Sequence, residues 1–143
     1  MSQTIRGVVT IVGRILLSAI FLMSAVGHDI PEFKKTAEMM ESAGVPYPPV
    51  MLAGAIVFLI AGSLSIILGF KANFGAALLF VFLVLATYYF HAFWKEAGEA
   101  QQNQMIQFMK NLALMGAMLV IMANGSGPMS LDRRTPKGVP MSG

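Results

Sequence analysis

Four stretches of the chain, 7–27, 50–70, 73–94 and 105–123, each come close to the roughly 20 mostly apolar residues a helix needs to cross a bilayer. The second and third carry no Asp, Glu, Lys or Arg, and only a short junction around Lys71-Ala72-Asn73 separates them. That junction predicts an antiparallel hairpin. The fourth is less uniform, with Lys110 and Asn111 inside it, and it ends at Asn124-Gly125-Ser126-Gly127-Pro128, where Gly and Pro stop a helix. The expected fold is all-α, an integral membrane four-helix bundle forming a single membrane domain over 1–143. A flexible tail is expected over 124–143.

The composition agrees with this reading. Of 143 residues, 56% are hydrophobic and 12% charged, against about a quarter charged in soluble domains. A soluble chain this short could not hide so much apolar surface, because small domains leave much of their surface in water. The net charge of +3 makes no basic patch and suggests no nucleic acid partner. With no cysteine, the chain by itself can perform no disulfide exchange, iron–sulfur ligation or thiolate metal binding. Ala25-Val26-Gly27 has the small residues of a signal-peptidase site. The block before it is long enough to span, so it is read as a retained helix.

Between the first two blocks, 30–43 has helical spacing: Ile30, Phe33, Ala37 and Met40 on one face, with Glu32, Lys34, Lys35, Glu38 and Glu41 on the others. Asp29 is placed to cap it with Glu32 three residues on, and Pro31 suits a first turn. A short amphipathic helix on the membrane or over the bundle mouth fits this pattern, and so does a solvated helical connector. Small residues mark candidate packing faces: Gly13, Ser18 and Ala19; Ala61, Ser65 and Gly69; Ala113, Gly116 and Ala117.

Four spans put both termini and the 71–73 turn on one side. That side carries Arg6, Arg14, Lys71, Arg133, Arg134 and Lys137 against Asp132. The other carries Lys34, Lys35, Lys95 and Lys110 against Asp29, Glu32, Glu38, Glu41, Glu96 and Glu99. The positive-inside rule then places both termini in the cytoplasm of a bacterial-type inner membrane.

Polar residues inside a membrane are costly and are functional candidates by default. Arg14 lies about two turns into the first block, roughly 10 Å from its start at 1.5 Å per residue. Two readings stand: it snorkels to the surface, or it faces inward and donates to Asn111 or to a ligand carbonyl. His28 ends the first span and His91 closes the third, so both fall at the face opposite the termini. Thr87, His91 and Trp94 share a helical face, and Lys110 and Asn111 enter the fourth span from the same side. An interfacial aromatic belt explains much of this cluster. The ligand-binding candidates are therefore His28, His91, Trp94, Arg14, Lys110 and Asn111; the sequence identifies no catalytic residue among them, and no metal set is expected. A quinone headgroup, which needs aromatic walls, a few donors and sideways entry, fits these residues better than a haem held by the two histidines.

The order of several short strings resembles the DoxX-like membrane proteins along nearly the whole chain. They are Gly13-Arg14-Ile15-Leu16-Leu17, Phe21-Leu22-Met23-Ser24-Ala25-Val26-Gly27-His28, Ser42-Ala43-Gly44-Val45-Pro46 and Ala61-Gly62 with Leu68-Gly69-Phe70. Phe90-His91-Ala92-Phe93-Trp94, Gln104-Met105-Ile106-Gln107-Phe108-Met109-Lys110-Asn111-Leu112-Ala113 and Gly127-Pro128-Met129-Ser130-Leu131-Asp132 complete the series. Two departures stand out: His28 where many members have Lys, and Phe58 near a position that is often acidic. The resemblance implies a four-helix inner-membrane protein. It also implies membrane-linked redox work, because a related group supplies subunits of thiosulfate:quinone oxidoreductase. The leading expectation is a quinone-associated subunit or membrane anchor of a redox complex, with lipid, a redox partner protein and a second copy of the chain as its partners. A non-catalytic scaffold or assembly protein is the rival, and a small lipophile carrier is third.

Overall fold

The computed structural model describes residues 1–134 and contains no strand among them. Six α-helices follow one another: α1 (Gln3–Ser24), α2 (Phe33–Ser42), α3 (Pro48–Leu68), α4 (Ala72–Phe90), α5 (Gly98–Asn124) and the one-turn α6 (Leu131–Arg134). A π turn, Ala25–Asp29, extends α1, and a 3₁₀ turn, Phe93–Lys95, joins α4 to α5. The four long helices are each long and apolar enough to cross a membrane.

Local chemistry sets the ends. Ser2 caps α1 by accepting from the Ile5 amide at 3.2 Å, satisfying one of the donors that a helix start leaves open. Pro48 and Pro49 occupy the first turn of α3, where a missing N–H costs nothing. Gly69 ends α3 in the left-handed region, φ 65°, which a glycine adopts without strain. Ser65 then ties the turn by donating to the Phe70 carbonyl at 2.6 Å. The expected tight hairpin is present.

The helices pack in the order α1–α3–α4–α5, so α1 and α5 stand at the two ends of the row. The core joins Phe21 and Ala25 of α1, Leu59 and Ile66 of α3, Ala76, Leu79 and Leu83 of α4 and Met118 of α5. Backbones approach most closely at α3–α4. A Cβ on Gly62 would lie 2.9 Å from the Gly75 carbonyl oxygen, and one on Gly75 would lie 2.5 Å from Ser65 Oγ. Small residues drive helix association in lipid, where apolar surface gains nothing by being buried. The outward faces, for example Val8, Val12 and Leu16 of α1 and Ile106, Met109 and Val120 of α5, are exposed in the isolated chain and suit a hydrocarbon surround.

Several sequence expectations change. The apolar block at 105 is preceded by polar turns that are already helical, so α5 starts at Gly98 and most of the expected 95–104 loop is helix. α4 stops at Phe90, and the chain turns before Trp94, which breaks the shared Thr87–His91–Trp94 face. Asp29 caps nothing, because the α1 backbone runs through it as a π turn. α2 begins only at Phe33, with no side-chain cap. Phe33, Ala37 and Met40 pack with Val45 and Leu52 against Tyr89 and Phe90, so α2 lies over that end of the bundle; Ile30 is exposed. Among the expected packing faces, Ala61, Ala113, Gly13 and Gly116 are exposed, while Ser18 and Gly69 are buried. The expected tail is anchored as far as Arg134, and its remainder, 135–143 with Lys137, lies outside the described residues.

Candidate ligand site

Arg14 is on α1, and its side chain turns inward, with 6% of the residue exposed. Its level in the bilayer follows from its neighbour: a Cβ on Gly69 would collide with Arg14 Nη1 and with Ser130. At 1.5 Å per residue, the 21 residues of α3 cover about 30 Å, the thickness of a hydrocarbon core. Gly69 therefore marks the core boundary, and the guanidinium lies at that boundary on the side of the termini.

The C-terminal segment closes around this point. Arg14 Nη2 donates to the Met129 carbonyl at 2.7 Å, with Met129 in the left-handed region, φ 54°. The Met129 side chain fills the space over Gly7, and Gly127 lies against Thr10. Asp132 fastens the segment to the hairpin: its carboxylate accepts from the amides of Lys71 at 2.7 Å and Ala72 at 3.2 Å, and from Ser126 Oγ at 3.3 Å. In return the Asp132 amide donates to the Gly69 carbonyl at 2.7 Å. A carboxylate on the open amides of a helix start satisfies donors and complements the helix dipole. Here that helix is α4.

Arg14 Nε and Nη1 have no hydrogen-bond partner among the described residues. Charged groups are seldom buried unless hydrogen-bonded or paired. Asp132 is the nearby opposite charge, but its oxygens are engaged with the α4 amides. Arg14 lines a cleft of about 440 Å³, walled by Gly13 and Leu17 of α1, Ile66 of α3, Ala117 and Val120 of α5, and floored by Gly125–Gly127. Its volume is within the range of small-ligand sites. A second hollow of about 660 Å³, bordered by Lys71, Asn73, Asn124, Asp132 and Arg133, shares Ala72, Gly125, Ser126 and Gly127 with it. The first is lined mostly by apolar side chains, and the second is bordered by more polar and charged ones.

The other sequence candidates lie elsewhere. His91 Nδ1 and Gln104 Oε1 are 2.8 Å apart, and Asn111 Nδ2 donates to Thr87 Oγ1 at 3.1 Å; both pairs join α4 to α5. Asn111 is thus Thr87's partner and does not meet Arg14. Trp94 is 55% exposed and packs edge-on against Phe93 and Phe108. Lys110 is exposed and donates to Gln107 on its own helix. His28 has a separate set of partners, Asp29 at 3.0 Å and Glu32 at 3.6 Å. The six candidates therefore fall into four groups: Arg14 at the hairpin end, His91 with Asn111 and Trp94 along α4–α5, Lys110 on the exposed face of α5, and His28 at the end of the π turn. Among the described residues, no cluster of three or more His, Cys, Asp or Glu could hold a metal ion. Sequence reasoning passed over Met129, Ser126 and Asp132 as site residues. Their signal lay in the 126–132 stretch, whose Gly and Pro mark a helix stop and whose Gly127–Asp132 string carries part of the family resemblance, neither of which points to a site.

Four helices long and apolar enough to span, with both described ends at one face, define a multi-pass membrane protein. The chain belongs to the DoxX family, whose model matches residues 9–92. It is 34% identical over 130 residues to Inner membrane protein YphA of Escherichia coli (strain K12), covering 90% of this chain and 91% of that one. Inner membrane protein YqjF of the same organism is 31% identical over 131 residues, 92% of this chain and 95% of its own. A Surfeit locus protein 4 homolog of Schizosaccharomyces pombe is 24% identical over 96 residues, 66% of this chain and 31% of its own. No solved structure matches.

Proposed function

We propose that this DoxX-family protein is a membrane subunit that holds a lipid-soluble ligand in the Arg14 cleft, and that it forms neither a pore nor a self-contained enzyme. One observation carries this reading: a buried guanidinium with two nitrogens lacking partners among the described residues borders a cleft between α1 and α5, which pack less closely on each other than on α3 and α4, respectively. A ligand that enters sideways from lipid needs no aqueous channel. Both termini are read as cytoplasmic, because Arg6, Arg14, Lys71 and Arg133 gather at their end against Asp132 alone among its described side chains.

The second reading is a quinone-linked redox subunit, as the resemblance to thiosulfate:quinone oxidoreductase subunits implies. The free Arg14 donors favour it, since a quinone carbonyl is an acceptor. The lining weighs against it, because the cleft has no aromatic wall. A redox partner or a second copy is compatible with either reading and required by neither. The test is to purify the protein in mild detergent, extract it and identify bound molecules by mass spectrometry. A stoichiometric lipophile present in the wild type and depleted in Arg14→Leu is expected; no retained molecule in the wild type sinks the reading.

A further inference from the structure

We propose that the occupant is an anionic phospholipid of the surrounding leaflet, its phosphate on Arg14 and one acyl chain along the cleft between α1 and α5. This rests on the reading that the cleft is a ligand site, and it names the ligand's class.

Depth is the first argument. The guanidinium lies at the level of the Gly69 turn, at the boundary of the hydrocarbon core, where lipid phosphates are found. Charge is the second. Arg14 lines the cleft, and Lys71 and Arg133 border the neighbouring hollow, against one carboxylate, Asp132, whose oxygens already accept from two amides and Ser126. An anion balances that excess, whereas a neutral carbonyl leaves it standing. Guanidinium–phosphate hydrogen bonds are also about twice as strong as neutral ones. Lining is the third. Leu17, Ile66, Ala117 and Val120 offer aliphatic walls suited to an acyl chain, and the cleft shares Ala72 and Gly125–Gly127 with the hollow that Lys71 and Arg133 border. Basic pockets between spanning helices on the cytoplasmic side are known acceptors of anionic lipid heads.

The test uses the full chain, delipidated in detergent and titrated separately with phosphatidylglycerol, phosphatidylcholine, oleate and a short-tailed ubiquinone, with bound species counted by mass spectrometry of the intact protein. Phosphatidylglycerol is expected to bind one per chain and about tenfold more tightly than phosphatidylcholine. Arg14→Gln, which removes the charge and keeps an amide donor, should bring the two lipids to parity. Gly13→Phe should weaken phosphatidylglycerol binding by filling the cleft. A Cβ at Gly13 meets nothing within 4 Å, so this variant has room to fold even if the Arg14 variant does not. Equal affinity for the two lipids in the wild type, or wild-type binding by Gly13→Phe, overturns the proposal. Preferred binding of ubiquinone or oleate overturns the lipid and leaves the cleft as a ligand site. Binding of none of the four overturns both.

Discussion

Arg14 and Met129, 115 positions apart in the chain, are joined by a 2.7 Å hydrogen bond from the guanidinium Nη2 to the backbone carbonyl. The bond closes α1 onto the segment that follows α5, while Nε and Nη1 stay buried without a hydrogen-bond partner among the described residues.

The Asp132 carboxylate is the fastening of the segment. Asp132→Ala removes the acceptor for the Lys71 and Ala72 amides and should cost about 1–2 kcal/mol, the usual range for a lost helix cap. In hydrogen exchange, the Lys71 and Ala72 amides should exchange faster, with residues near Leu59 and Leu83 unchanged. Unaltered protection at Lys71 and Ala72 would mean that Asp132 does not hold the turn.

The α3–α4 contact leaves no room for a side chain. Gly75→Leu should split the hairpin, because the new Cβ alone would lie 2.5 Å from the Ser65 hydroxyl and 3.1 Å from the Gly62 carbonyl. Overpacking of this kind costs about 1–3 kcal/mol or more. Gly116→Leu, on an open face of α5, should melt like the wild type. Equal melting temperatures for the two variants in detergent would contradict this packing.

Thr87 and Asn111 form a buried pair across α4 and α5, with Asn111 7% exposed. Either Thr87→Val or Asn111→Leu leaves one polar group unpaired, and the double variant leaves none. A double-mutant cycle should give a coupling of about 0.6 kcal/mol, the average for hydrogen bonds between membrane helices. Ligand retention should not change, because the pair is remote from Arg14. A coupling of zero would remove the bond; lost ligand would move the site toward His91.

Much of this fold was legible from hydropathy alone. The four spans follow from apolar length, and the hairpin from the short junction between the second and third. The sequence puts that junction at Lys71-Ala72-Asn73, and the structure puts it just earlier, with α3 capped by Gly69 and α4 starting at Ala72. The start of α5 was less legible, since the polar turns after Gly98 carry no apolar block to announce them. The stop of α4 at Phe90 was hidden for the opposite reason: Phe93 and Trp94 keep the segment apolar after the helix has ended. The site was harder to see. Arg14 was visible as a charge in a span, but its depth depends on where α1 sits against α3, and tertiary packing alone fixes that. Met129 acts through a backbone carbonyl, which no side-chain pattern reveals. Asp132 lies in a segment whose Gly and Pro look like an unstructured end until the α4 amides give its carboxylate a function. His28 and His91 share a membrane face by helix direction, yet each has its own partners, because helix order places α3 beside α1 and α5 beside α4.

Orientation follows from charge. Reporter fusions placed after residue 134 should be active as a cytoplasmic fluorescent protein and inactive as a periplasmic phosphatase, and a phosphatase inserted at Glu96 should be active. The reverse pattern would invert the molecule and put the Arg14 cleft in the outer leaflet.

The most direct measurement is an experimental structure of the full chain in nanodiscs containing native lipid. Elongated density between α1 and α5, with its head within hydrogen-bonding distance of Arg14 Nε or Nη1, is the result predicted. A cleft filled by its own side chains, with ligand density instead beside His91 and Trp94, would contradict it.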